Sequence, residues 1–214
     1  MKMPLDDINA LAAAGELIAY FGYGSLVNPA THRTPVLGYV PAKLRGWRRA
    51  WVARSDWDPT LPIALLSASP SQSDEMLDGL LVFDRRSSLP SLDKREAGYQ
   101  RHQISLADLH IDTDLSIDTP LYIYEAVEVS GEPSTGFILQ SYLDAVLQGF
   151  DTMHGEGAVT RFLSTTDNFH TPILMDRQEP QYPRAVSLDD RQQIHIDQTL
   201  AHLNWVEPAT VHKR

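Results

Sequence analysis

Cysteine is absent from the chain. That absence rules out disulfides, thiolate nucleophiles and cysteine-ligated metal sites. Positive charge is scarce: 18 lysines and arginines stand against 28 acidic residues, a net charge of −10. A general nucleic-acid binder needs a basic face, and so does a protein that docks on anionic lipid. No nucleic-acid or membrane partner is therefore expected. A small anionic ligand remains open, because backbone dipoles and one or two arginines can hold it locally. No apolar run approaches the ~20 residues of a membrane span. The N-terminus has no basic segment followed by an apolar core, so no secretory signal is expected and the cytoplasm is the expected location. Internal repeats and low-complexity linkers are also missing.

What is present suits a globular protein. The 214 residues are 43% apolar and 21% charged, enough for a sizeable core in one domain spanning 1–214. Residues 6–16 read as an alanine-rich helix outside the core pattern. Leu17 to Phe21 read as a buried strand running into a glycine loop at Gly22, Gly24, Ser25, Asn28 and Pro29. Strands follow over Val36–Val40 and Trp47–Ala53, interrupted by Pro41 and Gly46, with Gly46 a candidate bulge or corner. Asp56–Pro59 read as a loop. Ile63–Ala68, Leu77–Phe83, Tyr99–Leu106 and Leu121–Val129 complete the strands. Ser87–Ala97 form a short helix, with Ser88 as cap, Pro90 in the first turn and Gly98 past the end.

After Gly131 the pattern turns helical. Helices are expected over Phe137–Phe150, weakened at its end by Gly149, and near Val159–Leu163. Asp167–Ala185, with three prolines, reads as an extended wrapping segment, and Leu188–Trp205 as a last helix. Strands first, with helices inserted and appended, predict an α+β fold, and the corner glycine suggests a small, partly closed barrel.

The glycine loop matches no familiar fingerprint. A dinucleotide motif needs a third glycine where Val27 stands, a phosphate loop needs Gly-Lys-Ser/Thr, and a nucleophile elbow needs glycines where Tyr23 and Val27 stand. What remains is a turn offering backbone amides beside a strand end, a nest that suits a carboxylate. The alternative is a tight turn in which glycine merely supplies a positive φ.

Leu89, Leu92 and Glu96 fall at i, i+3 and i+7, one face of a helix, whereas Lys94 and Arg95 fall off that stripe. Glu96 is thus expected to point inward, near the end of a helix whose dipole disfavours negative charge. Both effects push a carboxyl pKa upward, toward the range useful for a general acid/base. The other reading is a structural ion pair with Arg85, Arg95 or Arg101. The two stay open.

Tyr23-Gly24-Ser25-Leu26 after a strand and Arg95-Glu96-x-Gly98-Tyr99 before another resemble the γ-glutamylcyclotransferase superfamily. So do Leu44-Arg45-Gly46-Trp47-Arg48-Arg49, Leu121-Tyr122-Ile123-Tyr124 and Ser141-Tyr142-Leu143-Asp144. The resemblance covers roughly residues 18–165. It implies an α+β fold with a small mixed β-barrel flanked by helices, formed as one domain. The N-terminal helix (1–16) and a C-terminal extension (166–214) would pack on that domain. It also implies a cofactor-free, metal-free enzyme that cleaves a γ-glutamyl amide by internal attack, leaving 5-oxoproline and an amine or amino acid. Carried over by motif, Glu96 is the acid/base. Tyr20, Gly22, Tyr23, Gly24, Ser25 and Leu26 hold the glutamyl group, and Tyr99 and Tyr124 line the pocket. For both tyrosines, ordinary packing is the alternative. Glutathione-specific ChaC-like members carry a tryptophan soon after Gly-Tyr-Gly-Ser-Leu; here Val27-Asn28-Pro29 follow. The expected partner is a small γ-glutamyl substrate. A non-catalytic small-molecule-binding module is the second reading, and a serine hydrolase using Ser25 a third.

The eight histidines form no His-Glu-x-x-His; His195 and His202 are expected to share a helix face at the surface. Asp112, Asp114 and Asp118 lack the glycine and distal glutamate of a calcium loop. Trp47, Arg48, Arg49 and Trp51 read as a strand with one packed and one solvated face.

Overall fold

The computed structural model describes residues 3–32, 34–54, 62–71, 74–113, 115, 117–127 and 136–208. The expected Asp56–Pro59 loop, Asp114 and the change of character at Gly131 lie outside the described residues. In chain order the elements are α1 (Leu5–Ala13), β1 (Leu17–Gly22), β2 (Gly38–Arg45), β3 (Trp47–Arg54), β4 (Ile63–Pro70), β5 (Met76–Arg85) and α2 (Leu89–Arg95). Then come β6 (Tyr99–Ile104), β7 (Leu109–His110), β8 (Leu121–Ala126), β9 (Ile138–Leu139), α3 (Gln140–His154) and α4 (Ala158–Ser164). The last are β10 (Thr166–Asp167), β11 (Ile173–Leu174), α5 (Asp190–Leu200) and β12 (Trp205–Val206). The fold is α+β. The chain forms two compact units: Met1–Gly24, His32–Arg48 and Ala68–Val127 in the first, and Ser25–Thr31, Arg49–Ser67 and Glu128–Arg214 in the second.

The first unit is built on a six-stranded mixed sheet in the order β6-β8-β1-β5-β2-β7. Its centre is β1, antiparallel to β5 and parallel to β8. Every residue of β1 is buried, as expected of a continuous apolar run with partners on both edges. Gly79 on β5 is there for close approach: a Cβ would come within 2.4 Å of the Gly22 carbonyl oxygen and the Phe21 ring. Three expectations need correcting. Helix α1 is not outside the core, since Ile8 and Ala12 are buried. Pro41 does not interrupt its strand; it lies inside β2, paired with Leu80. The outer neighbour β7 reaches only Lys43 and Leu44, so at Pro41 no ladder needs the missing N–H. Strand β2 accordingly runs on to Arg45, and Gly46 (φ 79°) turns the chain into β3, a member of a different sheet.

The second unit holds two small sheets, β10-β3-β4 and β12-β11-β9, and helices α3, α4 and α5. Helix α3 is buried almost throughout. Gly149 does not weaken it; a Cβ there would come within 2.8 Å of Asn28, whose side-chain amide donates to Ala145 O (2.8 Å) and Gln148 Oε1 (2.9 Å). Arg49 joins Trp51 on the packed side of β3 and is fully buried. Its guanidinium lies 3.9 Å from the Phe162 ring centroid, and its Nε donates to Thr166 Oγ1 (2.8 Å). The segment after Thr165 supplies β10, β11, α5 and β12. Helix α5 opens on an Asp189–Gln192 capping box and ends at Leu200, so His202 lies beyond it and shares no helix face with His195.

Candidate functional site

Strand direction collects the motif residues of the first unit. Strands β1 and β8 are parallel, so Gly22 and Ala126 lie at the same end of the sheet. Strand β6 is antiparallel to β8, with Tyr99 opposite Ala126, so its first residue lies there too. The Tyr23 hydroxyl donates to the Tyr124 carbonyl across this end. Register also fixes the faces. Partners Ile18–Asp84, Tyr20–Val82, Tyr20–Tyr122 and Arg101–Tyr124 put Tyr20, Asp84, Tyr122, Tyr124, Arg101 and Tyr99 on one side of the sheet. This is the side on which α2 makes its side-chain bonds.

Helix α2 is a short element following a 3-10 turn at Arg86–Ser88. Ser88 does not cap it with its side chain; instead Ser88 Oγ donates to Asp84 Oδ1 (2.9 Å). Leu92 is buried beneath the helix. Asp93 ties the helix to the sheet: it accepts from Tyr124 Oη (2.7 Å) and twice from Arg101 Nη1 (2.6 Å), while the Arg101 guanidinium lies over the Tyr122 ring. Burial and the bond to Asp93 raise the Tyr124 hydroxyl above the ordinary phenol range.

Glu96 is the residue at which α2 stops (φ −94°, ψ 29°); the left-handed Gly98 (φ 84°) then turns the chain into β6. Its side chain is withdrawn from water, with 16% exposed, and its Oε1 accepts from Arg95 Nε at 3.0 Å. Arg95 is not on a solvent face as its position off the leucine stripe predicts; its side chain is 14% exposed. The helix ends there, so the helical period no longer governs where either side chain points.

Arg95 also lines a cavity of about 290 Å³ within the first unit. Tyr20 and Asp84 form part of its lining, Val36 and Leu92 contribute apolar surface, and the exposed residues Thr34, Ser91 and Lys94 border it. Tyr20 and Asp84 are 3% and 5% exposed. Burial raises the Tyr20 hydroxyl above the ordinary phenol range; Asp84 and Glu96 add to the rise and Arg95 opposes it. Burial likewise raises the Asp84 carboxyl above its usual 3.8, against the bonds to its Oδ1 from Ser88 Oγ and the Arg85 amide (2.7 Å).

The remaining predicted residues fall as follows. Gly22 is extended and paired with Leu80. Tyr23 is buried and Gly24 closes the first segment of this unit. Ser25 and Leu26 belong to the second unit, in a single 3-10 turn (Ser25–Val27), with the Ser25 carbonyl accepting from Thr31 Oγ1 (2.7 Å) and the Asn28 amide. Tyr99 is half-buried and Tyr124 is buried. Asp84 was not singled out by the sequence reading. The signal was present: Leu80 to Asp84 lie in a strand whose two faces are both apolar, so an aspartate ending that run is placed inside. Among the described residues no group of three or more His, Asp or Glu side chains could hold a metal ion, and no helix is long and apolar enough to cross a membrane.

Solved structures share this architecture. One named γ-glutamyl cyclotransferase matches with a TM-score of 0.53 at 14% identity, over 86% of this chain and 99% of its own. An uncharacterised human protein matches at 0.50 and 17%, over 85% of this chain and 99% of its own. YkqA from Bacillus subtilis matches at 0.50 and 16%, over 76% and 60%. No protein-family model and no curated protein matches the sequence. The chain has the γ-glutamylcyclotransferase-like fold.

Proposed function

We infer that this chain is a γ-glutamyl cyclotransferase with Glu96 as its general acid/base. The observation that carries the reading is the Glu96 carboxylate, withdrawn from water at the end of α2 and paired with Arg95, a residue that itself lines the neighbouring cavity. It stands at the turn into β6, whose first residue lies at the same sheet end as Gly22 and Tyr124. The shared fold with a structure named γ-glutamyl cyclotransferase supports it.

The reaction needs one group that takes and returns a proton. The α-amine of a γ-glutamyl amide has a reference pKa of about 8 and is mostly protonated at neutral pH. Once neutral, its nitrogen attacks the γ-carbonyl carbon and a ring C–N bond forms. Glu96 takes the proton that this nitrogen sheds. The amide C–N bond then breaks, and Glu96 gives the proton to the departing nitrogen. Nothing is oxidised and no water is consumed, so the atoms balance without a cofactor. Holding the glutamyl chain folded converts the attack into a well-oriented ring closure, a large rate term. Backbone amides of the loop that begins at Tyr23 serve the substrate carboxylate or the developing oxyanion. Incubation with a panel of γ-glutamyl amino acids and γ-glutamyl amines, with 5-oxoproline as the readout, tests this. Folded protein that releases none from any member rejects it. The Arg95–Glu96 ion pair also suits a non-catalytic small-molecule-binding module, which predicts thermal stabilisation by γ-glutamyl compounds without product.

A further inference from the structure

The backbone at Glu96 is fixed before its side chain is considered. Asp93 fastens the last turn of α2 to the sheet, accepting from Tyr124 Oη (2.7 Å) and Arg101 Nη1 (2.6 Å). The Glu96 amide donates to the Leu92 carbonyl (2.9 Å), and the Glu96 carbonyl accepts from the Tyr99 amide (2.9 Å). The main chain is thereby held on both sides, while the side chain keeps its own torsions. Two effects work against an anion at that place. The Glu96 side chain is 16% exposed, and it stands at the C-terminal end of α2, the negative end of the helix dipole. A protonated Glu96 takes nothing from a substrate amine, so a base in this position needs a compensating cation.

Arginines 85, 95 and 101 were the partners open to it on sequence grounds. Arg85 pairs with Glu16 (3.6 Å) and Arg101 with Asp93 (2.6 Å). Arg95 supplies the cation: its Nε donates to Glu96 Oε1 at 3.0 Å. The Arg95 side chain is itself 14% exposed, so water screens the pair little. The bond is charge-assisted, and a planar guanidinium imposes a direction that an ammonium does not. Arg95 also acts beyond Glu96. It opposes the rise that burial, Asp84 and Glu96 impose on the Tyr20 hydroxyl, and it lines the same cavity as Tyr20 and Asp84.

We propose that Arg95 is the positioning residue of the acid/base: it keeps Glu96 ionised between turnovers and fixes the direction in which its carboxylate points. In this role Arg95 touches no reacting atom. For its effect on turnover the inference rests on the cyclotransferase reading, to which it adds the residue on which the base depends.

Two readouts on the full chain test it, one of them independent of turnover. The first follows the side-chain carboxyl carbons of isotope-labelled glutamates by NMR as a function of pH. The Glu96 signal is the one absent from Glu96→Gln. Arg95→Met keeps much of the side chain's length without its charge, and is expected to move the Glu96 titration upward by about one pH unit or more. Arg95→Lys is expected to restore most of the midpoint. Arg86→Met removes a charge from an exposed residue of the same unit and is expected to leave the midpoint in place. A midpoint unmoved in Arg95→Met, or moved as far in Arg86→Met, overturns the proposal. Circular dichroism checks folding, and Arg95→Gln takes the place of Arg95→Met if the latter does not fold.

The second readout is 5-oxoproline release from the γ-glutamyl panel. Arg95→Met is expected to lower kcat about tenfold or more through lost orientation, with a smaller change in KM, and to carry the acid limb of the rate profile to higher pH. Arg95→Lys is expected to return the acid limb but only part of kcat, since charge comes back without the fork. A raised KM with kcat unchanged overturns the positioning role, because it makes Arg95 a substrate contact. If the NMR midpoint moves as expected while no panel member is turned over, the hold of Arg95 on Glu96 stands and the cyclotransferase reading fails. If the parent turns over and Arg95→Met matches its kcat and acid limb, the reaction stands and the role of Arg95 in it fails.

Discussion

Two buried aspartates, one in each unit, have different surroundings: Asp144 in the second and Asp84 in the first. In the second unit Asp144 and Asp176 are closed on side chains and amides of their own unit. Arg177 forks between Asp144 (2.7 and 2.8 Å) and Asp197 (2.7 and 3.0 Å). Asp176 accepts from the Ser141 amide, Ser141 Oγ and the Gln181 amide, while Ser141 Oγ accepts in turn from the Tyr182 amide. Burial raises the Asp144 carboxyl above its usual range even so, opposed by Arg177. Such networks fasten the segment after Thr165 to α3. In the first unit, Asp84 and Tyr20 line a cavity. The two carboxylates differ in what surrounds them: Asp144 meets an arginine, whereas Asp84 lines a cavity.

The comparison can be broken in four places. The largest effect belongs to Glu96→Gln, which is expected to lower 5-oxoproline release ~10²-fold or more while circular dichroism and melting stay close to the parent. Retained turnover strips Glu96 of its role. Next is Arg177→Met, which leaves Asp144 buried without its cation and is expected to cost about 3–5 kcal/mol in urea unfolding. A loss well under 1 kcal/mol would show that the closed network is not what holds the second unit. Third, Tyr124→Phe removes one bond to Asp93 and is expected to cost about 1 kcal/mol, read in the same experiment. The smallest effect is a pH signature of Asp84. Its folded pKa is raised above 3.8, so the stability it supports is complete below that value and is lost as pH rises through the folded pKa. Asp84→Asn lacks this loss. The melting temperature of the variant minus that of the parent should therefore climb from pH 3.8 upward through the folded pKa and then level off. A difference independent of pH would mean that Asp84 is solvated after all.

Much of the fold is legible in the sequence because its elements obey single rules. The apolar run Leu17–Phe21 makes β1, the apolar spacing from Phe137 to Phe150 makes most of α3, and Gly98 ends α2. Glu96 is withdrawn from water as the i, i+3, i+7 stripe leads one to expect, although the helix stops short of it. What pattern cannot show is pairing. Pro41 is tolerated only because β7 is short, Gly149 is demanded by Asn28, and Arg49 turns inward because Phe162 and Thr166 receive it. Asp84 belongs to this group: its significance depends on Tyr20 lying one register step away on the neighbouring strand.

Arg95 and Glu96 are successive residues, so their ion pair is local in sequence. The aim of the carboxylate is inherited from the backbone that ends α2 and from the left-handed bend at Gly98 two positions later. A change that tilts that bend therefore also shifts the Glu96 carboxylate and the ion pair it makes with its neighbour.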